Sequence, residues 1–328
     1  MTVVRQGMAT ARGFHLVACF EAIASNMGRV IQGRDEVIRL ALVCLMSEGH
    51  LLIEDVPGVG KTSLAKALAL SIDCQWSRIQ FTPDLLPSDI TGVNVYNRAR
   101  SSFEFRPGGI FANIVVGDEI NRASPKTQSA LLEAMEEGQV SIDGSTYALP
   151  APFMVVATQN PLGNEGTYPL PESQLDRFLM RTSVGYPPRG DEIAMLDTHS
   201  AYRVIDTLGA VAGPDDVAAM VEVARATHVA TAVKGYVVDL ARVSRAHPDL
   251  SLGMSPRAAL ALLKASRAWA AASGRDFVTP DDVKAMVRPV LSHRVVVSPE
   301  VATGGSGPGG VLDDIVARLP VPGVGSLR

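Results

Sequence analysis

The feature that most constrains the fold of this chain is a glycine-rich stretch, Asp55-Val-Pro-Gly-Val-Gly-Lys-Thr62. An apolar run at residues 51–53 precedes it, and a segment rich in alanine and leucine at residues 63–70 follows it. This order of strand, tight turn and helix is the context that a phosphate-binding loop requires. Gly58 and Gly60 let the backbone approach an anion closely because glycine has no Cβ. The stretch therefore predicts an α/β domain that binds a nucleotide through its phosphates.

Each part of this loop has a predicted task. Successive backbone N–H groups point at the phosphates, backed by the positive end of the helix dipole. Lys61 reaches the β- and γ-phosphates of ATP, and the Thr62 hydroxyl is a predicted Mg²⁺ ligand. Asp55 stands where the usual G-x-x-x-x-G-K-[ST] pattern has its first glycine. The predicted nucleotide-binding residues of the loop are Pro57, Gly58, Val59, Gly60, Lys61, Thr62 and Ser63.

A second predicted part of the site is the apolar run Ile114-Val-Val-Gly117, which ends in the acids Asp118 and Glu119. A continuous apolar run predicts a strand buried on both faces, and open α/β sheets bind ligands at the carboxyl ends of such strands. We expect Asp118 to hold Mg²⁺, usually through water, and Glu119 to polarise the attacking water. An acidic loop without a catalytic task is the alternative.

Composition adds few constraints on partners. The length of 328 residues suits about two domains, and the formal net charge of −4 gives no sign of a nucleic-acid partner. The three cysteines lack metal-binding spacing and are typical of a reducing compartment. The N-terminus lacks the order of a signal peptide, and no apolar run approaches about 18 residues. We therefore expect a cytoplasmic protein without a membrane span.

Apolar runs and turn signals divide the chain into units. Buried strands are predicted near residues 50–53, 76–81, 114–118, 153–157 and 179–183. Beyond Tyr186-Pro-Pro-Arg-Gly190 the sequence is helical, with helix starts near Arg189, Pro214, Lys234, Pro256 and Pro280. The predicted units are a disordered start at 1–13, a nucleotide-binding domain at 14–186, a helical domain at 187–300, and a flexible linker and tail at 301–328. Residues 311–319 of the tail are a candidate amphipathic helix.

Further segments carry a family resemblance: Asp118-Glu-Ile-Asn-Arg-Ala123, Ala157-Thr-Gln-Asn-Pro161 and Leu170-Pro-Glu-Ser-Gln-Leu-Asp-Arg-Phe178. Together with the loop that contains Asp55, they resemble the MoxR family of AAA+ ATPases over residues 30–290. The resemblance implies a three-layer α/β/α AAA+ domain of the P-loop class, with a mainly parallel five-stranded sheet. A small all-α lid domain is expected to follow it.

The resemblance also implies residues that contact the nucleotide bound by their own subunit. Asn160 matches the sensor 1 position and is expected to reach the γ-phosphate or the attacking water. The alternative is an asparagine that caps the loop before Pro161. The segment that lines the adenine pocket corresponds to residues 30–33, which include Ile31 and Gly33.

Two arginines complete the implied site. Arg177 is similar to the arginine finger, which AAA+ rings place against the γ-phosphate of the neighbouring subunit. Arg181 lies nearby and is the alternative finger or a structural partner. Arg257, in Gly253-Met-Ser-Pro-Arg257, resembles sensor 2 and is expected to contact phosphate in its own subunit.

Two hairpins are predicted within the nucleotide-binding domain, at about residues 92–106 and 138–149. They resemble insertions shared with ring ATPases that translocate DNA. The tip of the second hairpin, residues 141–146, has no lysine or arginine that would engage phosphates. The first contains basic and aromatic residues that either bind a strand or form a solvated or protein-contacting hairpin. They are Tyr96, Arg98, Arg100, Phe103 and Arg106.

The resemblance favours an ATP hydrolase with ATP and Mg²⁺ as cofactors. It implies a homo-oligomeric ring, expected to be a hexamer, that performs chaperone-like remodelling or maturation of protein complexes. Proteins with von Willebrand factor A domains are the implied partners, and a nucleic-acid partner is not expected. The alternative function is a nucleic-acid-acting ring motor of the helicase type. Two further alternatives agree less well with the sequence. The sensor and finger positions argue against a monomeric small-molecule kinase, and Glu119 argues against a regulator that does not hydrolyse ATP.

Overall fold

The computed structural model describes residues 2–56, 58–160, 167–186, 188–190, 192–193, 205–303 and 307–322, with side chains from residue 15 onward. In chain order the elements are α1 (Thr2–Gly28), α2 (Asp35–Met46), β1 (Leu51–Glu54), α3 (Lys61–Ser71), β2 (Trp76–Gln80), α4 (Pro87–Thr91), β3 (Gly92–Asn97), β4 (Ser102–Pro107), β5 (Ile114–Asp118), a 3₁₀ turn (Ile120–Arg122), α5 (Pro125–Glu137), β6 (Gln139–Ile142), β7 (Ser145–Ala148), β8 (Met154–Gln159), α6 (Glu172–Leu175), β9 (Met180–Thr182), α7 (Pro214–Ala226), α8 (Thr231–Ala246), β10 (Leu250–Leu252), α9 (Pro256–Ala272), α10 (Pro280–Leu291), β11 (Val296–Val297), α11 (Pro299–Thr303) and α12 (Pro308–Arg318). Within the described residues, no helix combines the length and apolar character needed to cross a membrane.

The central sheet has five strands in the order β2-β5-β8-β1-β9, and every pair in it is parallel. Successive residues of a strand face opposite sides, so Leu51 and Ile53 join one apolar core while Leu52 joins the other. Helices α1, α2 and α3 contribute to the first core, and α5 contributes to the second. The predicted three-layer α/β/α domain is thereby confirmed.

This topology positions the site. Because the five strands are parallel, their carboxyl ends meet at one edge of the sheet, here called the carboxyl edge. The loop after β1, the acids at the end of β5 and the residue after β8 all lie there. The opposite edge, where the strands begin, is called the amino edge below.

The two predicted hairpins are present and contact each other. Strands β3 and β4 pair from Gly92↔Pro107 to Asn97↔Ser102, and β6 pairs with β7 around a turn at residues 143–144. The Phe105 ring stacks on Tyr147 with centroids 3.9 Å apart. Asn94 Nδ2 donates to a carboxylate oxygen of Asp143 at 2.8 Å. The hairpins therefore form one projecting unit.

The start of the chain differs from the prediction. Residues 2–28 form one continuous helix, whereas disorder was predicted over residues 1–13. Leu16, Phe20, Ile23 and Met27 are buried at helical spacing and dock this helix on the first core. The half of α1 that is docked on the core provides the nucleus of the helix. The residues before it contain no proline that would stop the helix from extending toward the N-terminus.

The helical lid domain extends further than predicted. Its helices begin at or near the predicted prolines, although α8 begins at Thr231 rather than near Lys234. Residues 308–310, predicted as flexible linker, form the first turn of α12. Proline suits that position, and Val311, Leu312 and Ile315 are buried in the first core. Helix α12 packs against α8 and α10, so the lid continues to residue 318 instead of ending near residue 300.

Candidate functional site

The phosphate loop, residues 55–60, joins β1 to α3 at the carboxyl edge. Gly58 and Gly60 have φ angles of 87° and 90°, which residues with a Cβ rarely adopt. A Cβ built on either glycine would meet no described atom within 4 Å, so the loop faces open space. This geometry fits an anion bound at the N-terminus of α3. Val59, Lys61, Thr62 and Ser63 are half-buried around the loop, and Pro57 lies outside the described residues.

Lys61 is the first residue of α3 and projects back over the loop. Its Nζ donates to the backbone oxygen of Asp55 at 2.7 Å. Burial lowers the pKa of Lys61, while the carboxylates of Asp55, Asp118 and Glu119 act in the opposite direction. The lysine therefore lies close to both the phosphate loop and the acids, and its contact with phosphate stays a prediction.

Asp118 is buried at the end of β5 and accepts hydrogen bonds from three side chains. Its Oδ2 accepts from Thr62 Oγ1 at 3.0 Å and from Arg78 Nε at 2.8 Å. Its Oδ1 accepts from Thr158 Oγ1 at 3.1 Å. The hydroxyl and carboxylate predicted to hold Mg²⁺ are thus adjacent, and hard oxygen donors of this kind suit that ion.

Glu119 follows in a strained conformation. Its φ of 56° lies in the left-handed region, which costs free energy for a residue other than glycine. Its backbone N–H donates to Thr158 Oγ1 at 2.9 Å. Its carboxylate accepts from Arg122 Nη1 at 2.9 Å and from Gln80 Nε2 at 3.4 Å. Strain held by surrounding bonds is a recurrent property of functional sites, which agrees with the predicted task of aligning water.

Asn160 follows β8, which lies between β1 and β5, so it lies at the carboxyl edge with the loop and the acids. Its backbone oxygen accepts from Asn121 Nδ2 at 3.4 Å. Ile31 is buried and Gly33 has a φ of 69°, and both lie in the turn between α1 and α2. The expected contact of this turn with adenine stays a prediction.

Asp55, the unusual residue of the loop, anchors the loop to the chain after β9. Its carboxylate accepts from the Val56 N–H at 2.8 Å, from Ser183 Oγ at 2.8 Å and from the Gly185 N–H at 2.5 Å. Burial acts to raise the pKa of Asp55, but the hydrogen bonds from Gly185, Ser183 and Val56 prevail and the pKa is lowered. A glycine at this position has no carboxylate to make these bonds.

The predicted arginines lie at the amino edge. His50 precedes β1, its backbone oxygen accepts from Leu179 N at 2.9 Å, and its Nε2 lies 3.0 Å from the Met135 oxygen. The start of β1 therefore lies beside Arg177, which is two residues before Leu179. It also lies beside Glu136, which is next to Met135. Four strand residues, about 13 Å, separate that point from the phosphate loop.

Arg257 belongs to this same amino-edge cluster. Its Nη2 donates to Glu136 at 2.8 Å, and Arg177 Nη2 lies 3.2 Å from the other oxygen of Glu136. Its Nε also lies 3.4 Å from Asp176. The expectation that Arg257 contacts phosphate in its own subunit disagrees with this placement, because α9 of the lid packs at the edge opposite the loop. Arg257 instead accompanies the predicted finger.

Arg181, the alternative finger, has structural contacts in this conformation. Its Nη1 lies 3.2 Å from Glu54 Oε2 on β1, and its Nη2 donates to the Ser292 oxygen at 3.0 Å. It therefore ties the sheet to the end of α10. Whether Arg177 or Arg181 is the finger stays a prediction, and these contacts favour Arg177.

Sequence reasoning missed several side chains that hold the acid pair: Arg78, Gln80, Arg122 and Thr158. A signal was available for three of them. Arg78 and Gln80 alternate with buried Ile79 at the end of β2, so both face the same side of a strand that ends at the carboxyl edge. Thr158 is a hydroxyl residue that directly follows the apolar run 154–157 of β8.

Comparison with known proteins agrees with this fold. Residues 50–180 match the ATPase family associated with various cellular activities (AAA), and residues 242–314 match the AAA lid domain. The protein YeaC of Bacillus subtilis (strain 168) is 46% identical over 297 residues, which cover 90% of this chain and 93% of that protein. Chaperone MoxR1 of Mycobacterium tuberculosis (strain ATCC 25618 / H37Rv) is 39% identical over 323 residues, covering 95% and 84%. The crystal structure of a candidate ATPase from Cytophaga hutchinsonii ATCC 33406 matches with a TM-score of 0.90 and 32% identity, over 97% of this chain and 99% of that one.

Proposed function

The chain belongs to the MoxR family of AAA+ ATPases and is an ATP hydrolase, and we propose that it works as an oligomeric ring that remodels or matures protein complexes. One observation carries the proposal. The phosphate loop and the acid pair lie at the carboxyl edge of the sheet, whereas Arg177 and Arg257 lie together at the amino edge. One subunit therefore presents the two halves of a catalytic site at opposite ends, and a neighbouring subunit can supply the missing half.

Within a subunit, each residue of the site has a separate proposed role in binding or hydrolysing ATP. The backbone of the loop and Lys61 would bind the phosphates, while Thr62 and Asp118, which are hydrogen-bonded to each other, would hold Mg²⁺. When bound, Mg²⁺ screens the negative charge of the phosphates. Glu119 orients the attacking water, and Asn160 contacts that water or the γ-phosphate. The open space at Gly58 and Gly60 supports this assignment.

The neighbouring subunit contributes its two arginines. Arg177, and with it Arg257, would leave the shared Glu136 and donate to the γ-phosphate across the interface. A cation supplied in trans stabilises the charge of the transition state and accelerates hydrolysis by about 10³–10⁵-fold in related sites. Hydrolysis would then depend on assembly, for which we propose a hexameric ring.

The client class is inferred from the relatives. One relative that matches most of this chain is named a chaperone, which supports work on proteins. We propose partners with von Willebrand factor A domains and a cytoplasmic location, the latter supported by three cysteines that are buried and unpaired. A nucleic-acid motor is not favoured, because the tip of the second hairpin has no basic residue.

Mixed rings test the shared site. Glu119→Gln should bind ATP without hydrolysing it, and Arg177→Ala and Arg257→Ala should each lose most of their turnover. Mixing either arginine variant with Glu119→Gln should restore part of the turnover, because the intact acid and the intact arginine then meet at one interface. Arg39→Ala is the control, since Arg39 pairs with Glu21 on the surface.

A third mixture separates the two possible positions of Arg257. If both arginines act on the neighbour, rings of Arg177→Ala with Arg257→Ala stay inactive, because no interface receives both. Recovery in that mixture would place Arg257 in its own subunit and contradict the proposal. Mass measurement of the ATP-bound Glu119→Gln ring tests the hexamer, and proteins retained by that ring identify the client.

A further inference from the structure

The edge strand β2 places an arginine on the carboxylate predicted to hold Mg²⁺. Strand β2 pairs with β5 in the register Arg78↔Val116 and Gln80↔Asp118. Arg78 Nε donates to Asp118 Oδ2 at 2.8 Å, and its Nη2 donates to Gln80 Oε1 at 2.8 Å. The guanidinium is therefore fixed at two points beside the acid pair.

The same carboxylate oxygen has a second donor. Thr62 Oγ1 lies 3.0 Å from Asp118 Oδ2, so the hydroxyl and the guanidinium share one acceptor atom. The side chain of Asp118 is 9% exposed, and a carboxylate that is so buried needs a cation or several donors close by. Arg78 supplies that positive charge at hydrogen-bonding distance.

This contact conflicts with the binding of a metal ion at the same place. Mg²⁺ bound at Thr62 and Asp118 would lie close to the Arg78 guanidinium, which contacts the same carboxylate, and two positive charges so close together would repel each other. The side chain of Arg78 is 50% exposed, so it has room to move into solvent. The metal and the arginine are therefore alternatives at Asp118.

We propose that Arg78 is a positioning residue that substitutes for Mg²⁺ at Asp118 when no Mg-nucleotide is bound. It holds the buried carboxylate in place by a hydrogen bond, and it raises the Mg²⁺ concentration needed to load the site. The inference rests on the proposed function, because it assumes that Mg-nucleotide binds at Thr62 and Asp118.

Mg²⁺ titration of nucleotide binding tests the inference without measuring turnover. A fluorescent ADP analogue reports binding, and Mn²⁺ spin resonance reports the metal directly. Arg78→Gln should need roughly tenfold less Mg²⁺ for half-saturation, since a charge-assisted hydrogen bond no longer competes. Arg78→Lys keeps the positive charge that repels the metal, so its Mg²⁺ requirement should lie closer to that of the wild type than to that of Arg78→Gln. Arg100→Gln is the control, because Arg100 pairs with Glu104 on the distant hairpin.

The stability of Arg78→Gln gives a second measurement. Without Mg²⁺ the variant should melt below the wild type, and Mg²⁺ with ADP should restore most of the difference. An unchanged or higher Mg²⁺ requirement, or unfolding that Mg²⁺ with ADP does not repair, would overturn the inference. A wild-type chain that binds no Mg-nucleotide would instead defeat the proposed function itself.

Discussion

Replacing Asp55 by glycine, the residue that phosphate loops usually have at this position, should weaken this protein. The carboxylate of Asp55 accepts three hydrogen bonds, and Asp55 is only 8% exposed. Ser183 is exposed and can turn its hydroxyl to water, but the half-buried N–H groups of Val56 and Gly185 lose their acceptor. Two bonds to a charged acceptor at about 1.5–2 kcal/mol each give a loss of about 3–4 kcal/mol. Glycine adds about 0.5–1 kcal/mol of backbone entropy.

The assay is urea unfolding at one fixed protein concentration without nucleotide, because ligand and assembly both shift apparent stability. Asp55→Asn is the matched variant. It keeps the shape and one neutral acceptor, so it should lose about 1–2 kcal/mol. A loss below 1 kcal/mol in Asp55→Gly would mean that the anchor to residues 183–185 contributes little, and the reasoning would be wrong.

Two further predictions concern buried polar residues. Thr158→Val removes a donor to Asp118 and an acceptor for the Glu119 N–H, so turnover should fall by about 10–100-fold. The control is Thr127→Val, which breaks a similar hydrogen bond to the Leu85 oxygen and should leave turnover nearly unchanged. Burial lowers the pKa of His50 from 6.5 to about 4, so its contribution to stability is complete above pH 6.5 and is lost as the pH falls toward 4. That contribution is about 3 kcal/mol, and the difference in unfolding free energy between wild type and His50→Gln should shrink by this amount over that pH range. A parallel pH profile for the two proteins would contradict the second prediction, and equal turnover losses in both threonine variants would contradict the first.

The sequence predicted the parts of the site that depend on local order. A strand, a glycine turn and a helix place Lys61 and Thr62, and an apolar run ending in two acids places Asp118 and Glu119. Each of these elements is recognisable from a short segment. Their meeting at one edge follows from a parallel sheet, and the structure has that sheet.

The parts that were missed depend on neighbours far away in the chain. Arg78 meets Asp118 only because β2 pairs with β5, and a polar alternation on β2 does not reveal the pairing partner. Arg257 lies by Glu136 because of the way α9 docks on the other domain, which no local pattern encodes. The composition of residues 308–310, a proline and two glycines, gave the wrong prediction of a flexible linker. These residues form a helical turn because the apolar residues that follow them are buried.

The edge strand β9 lies between the segment that contains Arg177 and the residues that anchor the phosphate loop. Before it, Asp176 accepts from the buried Arg294 at 2.6 Å, and Arg294 also donates to the Phe178 oxygen at 2.7 Å. These bonds tie the lid to the segment that contains Arg177. After it, residues 183–185 hold Asp55 of the phosphate loop. One short strand therefore links the anchor of the phosphate loop at its carboxyl end to the segment that contains Arg177 at its amino end.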